Sequence, residues 1–162
     1  KLLVPLLSKL GNLVVDGGIW LNTQRPEWND ANNALVGQGL SMVTLYYMRR
    51  YVQFLADLLD SDSGTFTLTR DVDTWFGDTA TALADLCTEL GGTSNLDALR
   101  YRSLRALGSA AADFRMRVYS QSTLSDTCER SIESVCDLLI DARTIIDHSI
   151  AANKRDDGLY HT

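Results

Sequence analysis

Glu27, Trp28, Asn29, Asp30, Asn32 and Asn33 set two carboxylates, an indole and three amides in one short run, Arg25-Pro26-Glu27-Trp28-Asn29-Asp30-Ala31-Asn32-Asn33, ahead of Gly37-Gln38-Gly39. Cleaving a glycosidic bond requires a carboxylic acid that protonates the leaving oxygen. Holding the sugar requires a flat apolar face for its ring and fixed polar groups for its hydroxyls. The run contains all three kinds of group, so it points to carbohydrate chemistry. Each residue also has a structural reading. Asp30 in a turn would bond its own backbone, as loop aspartates do. Trp28 serves either as a packing anchor or as a sugar platform, and the asparagines either brace a loop or bind hydroxyls. Glu27 is a second carboxylate for catalysis, a perturber of Asp30, or a solvated loop charge.

The elements that would position this run follow from periodicity. Leu2, Leu3, Leu6, Leu7 and Leu10 recur at helical spacing, with Pro5 in a tolerant first turn and Gly11 at the C-terminal cap. Residues 12–39 form a long connection with Gly17-Gly18 and Pro26, in which Val14, Val15, Ile19, Trp20 and Leu21 argue for packed order. Helices are expected over 40–60, 69–90, 96–119 and 126–153. In the first of these, Leu40, Val43, Tyr47, Tyr51, Leu55 and Leu58 fall on one side and Met42, Leu45, Tyr46 and Met48 fill much of the rest, which predicts burial nearly all round. Tyr46, Tyr47, Tyr51, Trp75 and Phe76 read as core aromatics. Asp71, Asp73 and Asp78 suit the positive end of the third helix. The fold class is all-α, built of antiparallel helical hairpins as a bundle or as a sector of a toroid. The 1–162 stretch is either a single helical domain or a fragment of a larger catalytic domain, with 12–39 as its active-site loop.

Composition narrows the partners. The chain has 162 residues, 45% hydrophobic and 22% charged, which suits a globular fold. Twenty-one acidic against fifteen basic residues give a net charge of -6, which disfavours nucleic acid and anionic lipid. Arg100, Arg102, Arg105, Arg115 and Arg117 crowd one segment but point several ways at helical spacing, as on a solvated face. Cys87, Cys128 and Cys136 are odd in number, and the last two are too far apart to bridge within one helix, so reduced thiols are expected. His148 and His161 stand apart from any cysteine cluster, and no metal site is expected. No apolar run reaches membrane-spanning length and no signal-peptide pattern opens the chain, so a cytoplasmic location is expected. The initial Lys1 and the closing Asp157-Gly158-Leu159-Tyr160 suggest a piece of a longer protein.

The stretch from Glu27 to Phe54 resembles the general-acid segment of the inverting glycoside phosphorylases that act on cellobiose and chitobiose. In that family a Gly-Asp-Trp-Asn-Asp-Gly-type run precedes a glycine-bounded turn and a helix with aromatic content. Here the corresponding stretches are Pro26-Glu27-Trp28-Asn29-Asp30-Ala31, then Val36-Gly37-Gln38-Gly39-Leu40-Ser41, then Met42-Val43-Thr44-Leu45-Tyr46-Tyr47. The resemblance implies a catalytic domain of the (α/α)6 toroid type, with loops at one end lining a sugar cleft. It implies Asp30 as the general acid and Trp28 as a shaper of the sugar site, with Asn29, Glu27 and Asn33 around the substrate, an oligosaccharide or disaccharide. Inorganic phosphate, as co-substrate, would attack the anomeric carbon with inversion, so a single protein carboxyl suffices; no other cofactor is implied. An acid working near neutral pH needs apolar or anionic neighbours, which Trp28 and Glu27 would supply.

Pro26-Glu27 departs from the family's Gly-Asp. The segment that carries the family's phosphate-binding residues has no counterpart here, so water is an alternative nucleophile. Five helices cannot close a twelve-helix toroid, so the chain is expected to expose apolar surface that further helices of the parent protein or a homodimer partner would cover, and to have little activity alone. The alternative to an enzyme fragment is a non-catalytic helical interaction or scaffolding module.

Overall fold

Eight residues at the start of the chain form the first helix, α1 (Leu3–Leu10), and Leu6, Leu7 and Leu10 are wholly buried. Burying a leucine side chain stabilises a fold by about 2 kcal/mol, so this short helix is held by what surrounds it rather than by its own hydrogen bonds. The structure is a computed structural model that describes residues 1–21, 37–90, 92, 95–123 and 125–160. Among them, α1 is followed by the short strands β1 (Ile19–Trp20) and β2 (Leu40–Ser41), then α2 (Met42–Leu59), β3 (Thr65–Thr69), α3 (Arg70–Leu90), α4 (Leu96–Ser120), β4 (Thr127–Ser131) and α5 (Ile132–Ala152). The architecture is mostly helical, with two small antiparallel sheets, β1 with β2 and β3 with β4.

Side-chain ties give the helix directions. Arg49 and Gln53 of α2 meet Asp147 and Arg143 of α5, so these two helices run antiparallel. Trp75 of α3 stacks on Phe114 of α4, ring centres 4.2 Å apart, while Glu89 near the other end of α3 meets Arg102, again antiparallel. Cys87 of α3 bonds the Asp141 carbonyl of α5, and Asp73 bonds Arg130 just before α5 begins, so α3 and α5 run parallel. α3 is the central helix, packing on α1, α4 and α5. Small residues let α4 approach closely: Ala110, Ala111 and Ser103 are buried, and a Cβ built on Gly11 at the end of α1 would lie 2.7 Å from that of Ala111.

Two expectations need correction. The last helix begins at Ile132 rather than near residue 126, because Thr127–Ser131 pairs as a strand with Thr65–Thr69, Thr65 opposite Ser131 and Thr69 opposite Thr127. Alternation explains the choice. Thr65, Thr67 and Glu129 lie on one exposed face, where Glu129 accepts from both threonine hydroxyls and is held below the usual carboxylate range by those bonds. Arg130 bonds Asp73 at 2.7 Å and lies 4.7 Å from the Phe76 ring centre, a cation–π contact. Cys128 therefore lies on a strand and Cys136 on a helix, and all three cysteines are half-buried free thiols.

The second correction concerns α2. Its buried side is Met42, Leu45, Met48, Val52 and Leu55, whereas Val43, Tyr47, Phe54 and Leu58 are 51–65% exposed. Among the described residues α2 lies at the margin of the bundle against α1 and α5, which cover one side and leave the other exposed. Tyr47 is consequently a surface residue. Tyr46 and Tyr51 are half-buried, and the Tyr51 hydroxyl donates to the Leu2 carbonyl at 2.8 Å. Trp75 and Phe76 are in the core as expected.

Cys87 ties alkaline stability to this core. Burial, with the nearby Asp141, pushes its thiol from 9.0 up to about 11. The folded state thus keeps a proton that the unfolded chain releases. The thiol's contribution is complete below pH 9.0 and lost as pH rises through about 11. Denaturant midpoints measured across this window should fall in the wild type and fall less in Cys87→Ala.

Candidate functional site: a clamped base for segment 22–36

Glu27, Trp28, Asn29, Asp30 and Asn33 lie outside the described residues. The residues on either side of them are described, and they define how the segment is anchored. Gly37 donates its N–H to the Leu21 carbonyl at 2.7 Å, and Leu21 donates to Gly39 at 3.4 Å. Residues 21 and 37 are therefore adjacent. Below that point Trp20 pairs with Leu40 and Ile19 with Ser41. Ser41 then caps α2, its hydroxyl accepting from the Thr44 N–H at 3.1 Å.

The strand that leads into the segment belongs to a tight hairpin. Leu13 bridges Ile19, Val14 donates to Gly18, and Gly17 donates to Val14. Gly18 passes so close to the β2–α2 junction that a Cβ there would lie 2.7 Å from the Ser41 carbonyl oxygen and 2.8 Å from its carbon. Both are backbone atoms, which cannot swing aside. Gly18→Ala should cost about 1–3 kcal/mol, read as a lowered denaturation midpoint.

Asp16 stands at the hairpin tip with φ +56°, a left-handed conformation that aspartate tolerates better than most residues. Its backbone N–H and carbonyl and its Oδ2 are hydrogen-bonded, and its Oδ1 lies close to His148. Oδ2 lies 3.1 Å from Arg100 Nη2 on α4, and Oδ1 lies 2.8 Å from His148 Nε2 on α5. Its N–H donates to the Ser149 hydroxyl at 3.1 Å, and its carbonyl accepts from Asn153 Nδ2 at 3.0 Å. The Asp16 side chain is only 5% exposed, while those of Arg100 and His148 are 38% and 40% exposed. A general acid must aim a proton-bearing oxygen at its substrate. Asp16 aims its oxygens at Arg100 and His148, so its chemistry is that of a clamp, holding the hairpin to the start of α4 and the end of α5.

Sequence reading missed this cluster. Arg100 was grouped with a solvated face and His148 stood alone; the legible signal was Asp16-Gly17-Gly18, a turn with an acid at its tip. Arg117 departs from the solvated-face reading as well, lying 3.6 Å from the buried Asp71 near the start of α3. The packed-loop reading holds for Val15, Ile19 and Leu21, which are buried, but Trp20 is 40% exposed. An indole is thus presented at the foot of segment 22–36.

Two other features complete the polar inventory. Tyr46 turns its ring edge to Tyr160, centroids 5.9 Å apart, and its buried hydroxyl has no hydrogen-bond partner among the described residues. Burial first, and Tyr160 second, raise the phenol above its usual range. At the far end of α2, about 20 Å from Tyr46 by helix rise, a cleft of about 560 Å³ is lined by Leu59, Asp60, Asp62, Glu133, Cys136 and Ile140 among others. Among the described residues no group of three or more His, Cys, Asp or Glu side chains is disposed to hold a metal ion. No described helix is long and apolar enough to cross a membrane. Comparison with protein-family models gives no match, and neither does comparison with curated proteins.

Proposed function

We propose that this chain is part of a carbohydrate-active enzyme that cleaves a glycosidic bond with inversion, Asp30 protonating the leaving oxygen. Trp28, Asn29, Glu27 and Asn33 bind the sugar around it, and inorganic phosphate, or water in a hydrolase, attacks from the opposite face. The chain forms a sector of an (α/α)6 toroid, completed by further helices of the parent protein or by a homodimer partner, and has little activity alone. Its substrate is a disaccharide or oligosaccharide. We assign it to the cytoplasm, the compartment in which its three free cysteines stay reduced.

The structural support for this reading is the base of segment 22–36. A segment offering an acid, an indole and amides must hold them to within fractions of an ångström if they are to catalyse, and that demands fixed ends. Both ends here join a two-stranded base that Asp16 clamps to α4 and α5. The exposed Trp20 indole adds an apolar face beside that base, of the kind a sugar ring stacks on. A second reading, a non-catalytic helical interaction module, is favoured by the apolar outer side of α2.

The test is to incubate the protein carrying this sequence with a panel of β-linked disaccharides, with and without inorganic phosphate. Phosphate-dependent release of a sugar 1-phosphate is the expected outcome, and phosphate-independent cleavage makes the enzyme a hydrolase. No cleavage of any substrate under either condition rejects the enzyme reading and leaves the interaction module.

A further inference from the structure

The outer side of α2 carries Val43, Tyr47, Phe54 and Leu58, exposed by 55, 65, 54 and 51%. Successive steps of 4, 7 and 4 residues keep all four on one line, which runs about 22 Å along the helix. Tyr51 stacks against Phe54, ring centres 6.4 Å apart, and widens the line toward the exposed Leu2. Monomeric surfaces rarely leave so long an apolar line open.

Charge specifies what covers it. Arg50 and Asp57 lie two turns apart along one edge of this line. Neither has an oppositely charged partner among the described residues: Arg50 lies 6.0 Å from the Tyr47 ring centre, and Asp57 accepts from Gln53 Nε2 at 2.6 Å. A helix that covers the line and satisfies both charges needs the same apolar spacing, with an acid where α2 has Arg50 and a cation where it has Asp57. Reversed end to end, α2 itself meets that description.

We infer that α2 is a self-association surface, pairing antiparallel with α2 of a second copy about a two-fold axis between Tyr51 and Phe54. Such an axis brings like edges together, so Arg50 of each copy meets the partner's Asp57, twice over. A parallel pairing turns these edges apart and leaves all four charges unmatched. The antiparallel register also sets Tyr47 against the partner's Leu58. There a mostly apolar cavity of about 260 Å³ opens, lined by Leu2, Leu3, Leu55, Leu58 and Phe66 and by Lys1 among others, and it suits an inserted aromatic ring. The helix dipoles oppose favourably in the same arrangement. This inference stands on α2 alone and is independent of Asp30 and of sugar chemistry.

Sedimentation equilibrium of the 162-residue chain over a range of concentrations tests it. A reversible monomer–dimer equilibrium is expected, with Phe54→Glu monomeric at every concentration and helical by circular dichroism. Tyr47→Glu provides the same reading if Phe54→Glu loses its helicity. Arg50→Asp or Asp57→Arg alone should weaken dimerisation about tenfold or more, and the double exchange R50D/D57R should restore it, because the pairs re-form with signs reversed. A chain that stays monomeric throughout overturns the inference and assigns the line to further segments of a longer protein. A dimer indifferent to Phe54→Glu and Tyr47→Glu, or one that the double exchange fails to restore, overturns it equally.

Discussion

Asp16→Ala is expected to destabilise the fold by about 3 kcal/mol. Two losses combine. Removing the buried carboxylate leaves Arg100 with Asp97 alone and takes the close neighbour of His148 away, and the partial exposure of both side chains keeps that loss below the value for a fully buried pair. Alanine must also adopt φ +56°, a conformation that costs it about 1 kcal/mol. Asp16→Gly separates the two, because glycine accepts that φ and loses only the side-chain contacts; it should recover about 1 kcal/mol relative to alanine. Urea titrations of the three proteins give the comparison directly. Equal stability of wild type and Asp16→Ala would show that the carboxylate contributes nothing and that the hairpin is held by its backbone bonds to Ser149 and Asn153 and by its buried Val15 and Ile19.

The helices were legible in the sequence because their signals are local. Leu6, Leu7 and Leu10 recur at helical steps and are the buried side of α1. Which side of α2 is buried was not legible, since apolar residues ring that helix and only the position of α1 and α5 decides between them. Thr127–Ser131 was misread for a related reason. Five residues ahead of a strong helical stripe look like its first turn until Thr65–Thr69, more than fifty residues earlier in the chain, offers a pairing edge. The Asp16 clamp joins residues 16, 100 and 148, and ties of that range leave no periodic trace. The chemistry proposed for segment 22–36 rests on residue types and spacing, which are local and therefore readable.

Asp30→Asn is expected to reduce disaccharide cleavage by about 10²–10⁴-fold, the usual contribution of a positioned general acid, equivalent to about 3–5 kcal/mol in the barrier. Asparagine keeps the size and most hydrogen-bonding capacity of the side chain but cannot release the proton. The effect should therefore fall on the turnover rate with little change in the Michaelis constant. Its size should depend on the leaving group. A sugar alkoxide must be protonated as it departs, whereas fluoride departs readily as an anion. Trp28→Ala, by contrast, should weaken substrate binding for every leaving group, because a stacking platform acts on the sugar ring and not on the bond that breaks.

The most direct test of Asp30 as the acid is the ratio of kcat/KM for a disaccharide to kcat/KM for the corresponding glycosyl fluoride, measured with wild type and Asp30→Asn of the protein carrying this sequence. The account predicts that the substitution abolishes most disaccharide turnover and leaves fluoride turnover within about tenfold of wild type, so that the ratio collapses by about 10²-fold or more. An unchanged ratio, with both substrates cleaved as well as before or both reduced alike, would contradict the assignment of Asp30 as the acid.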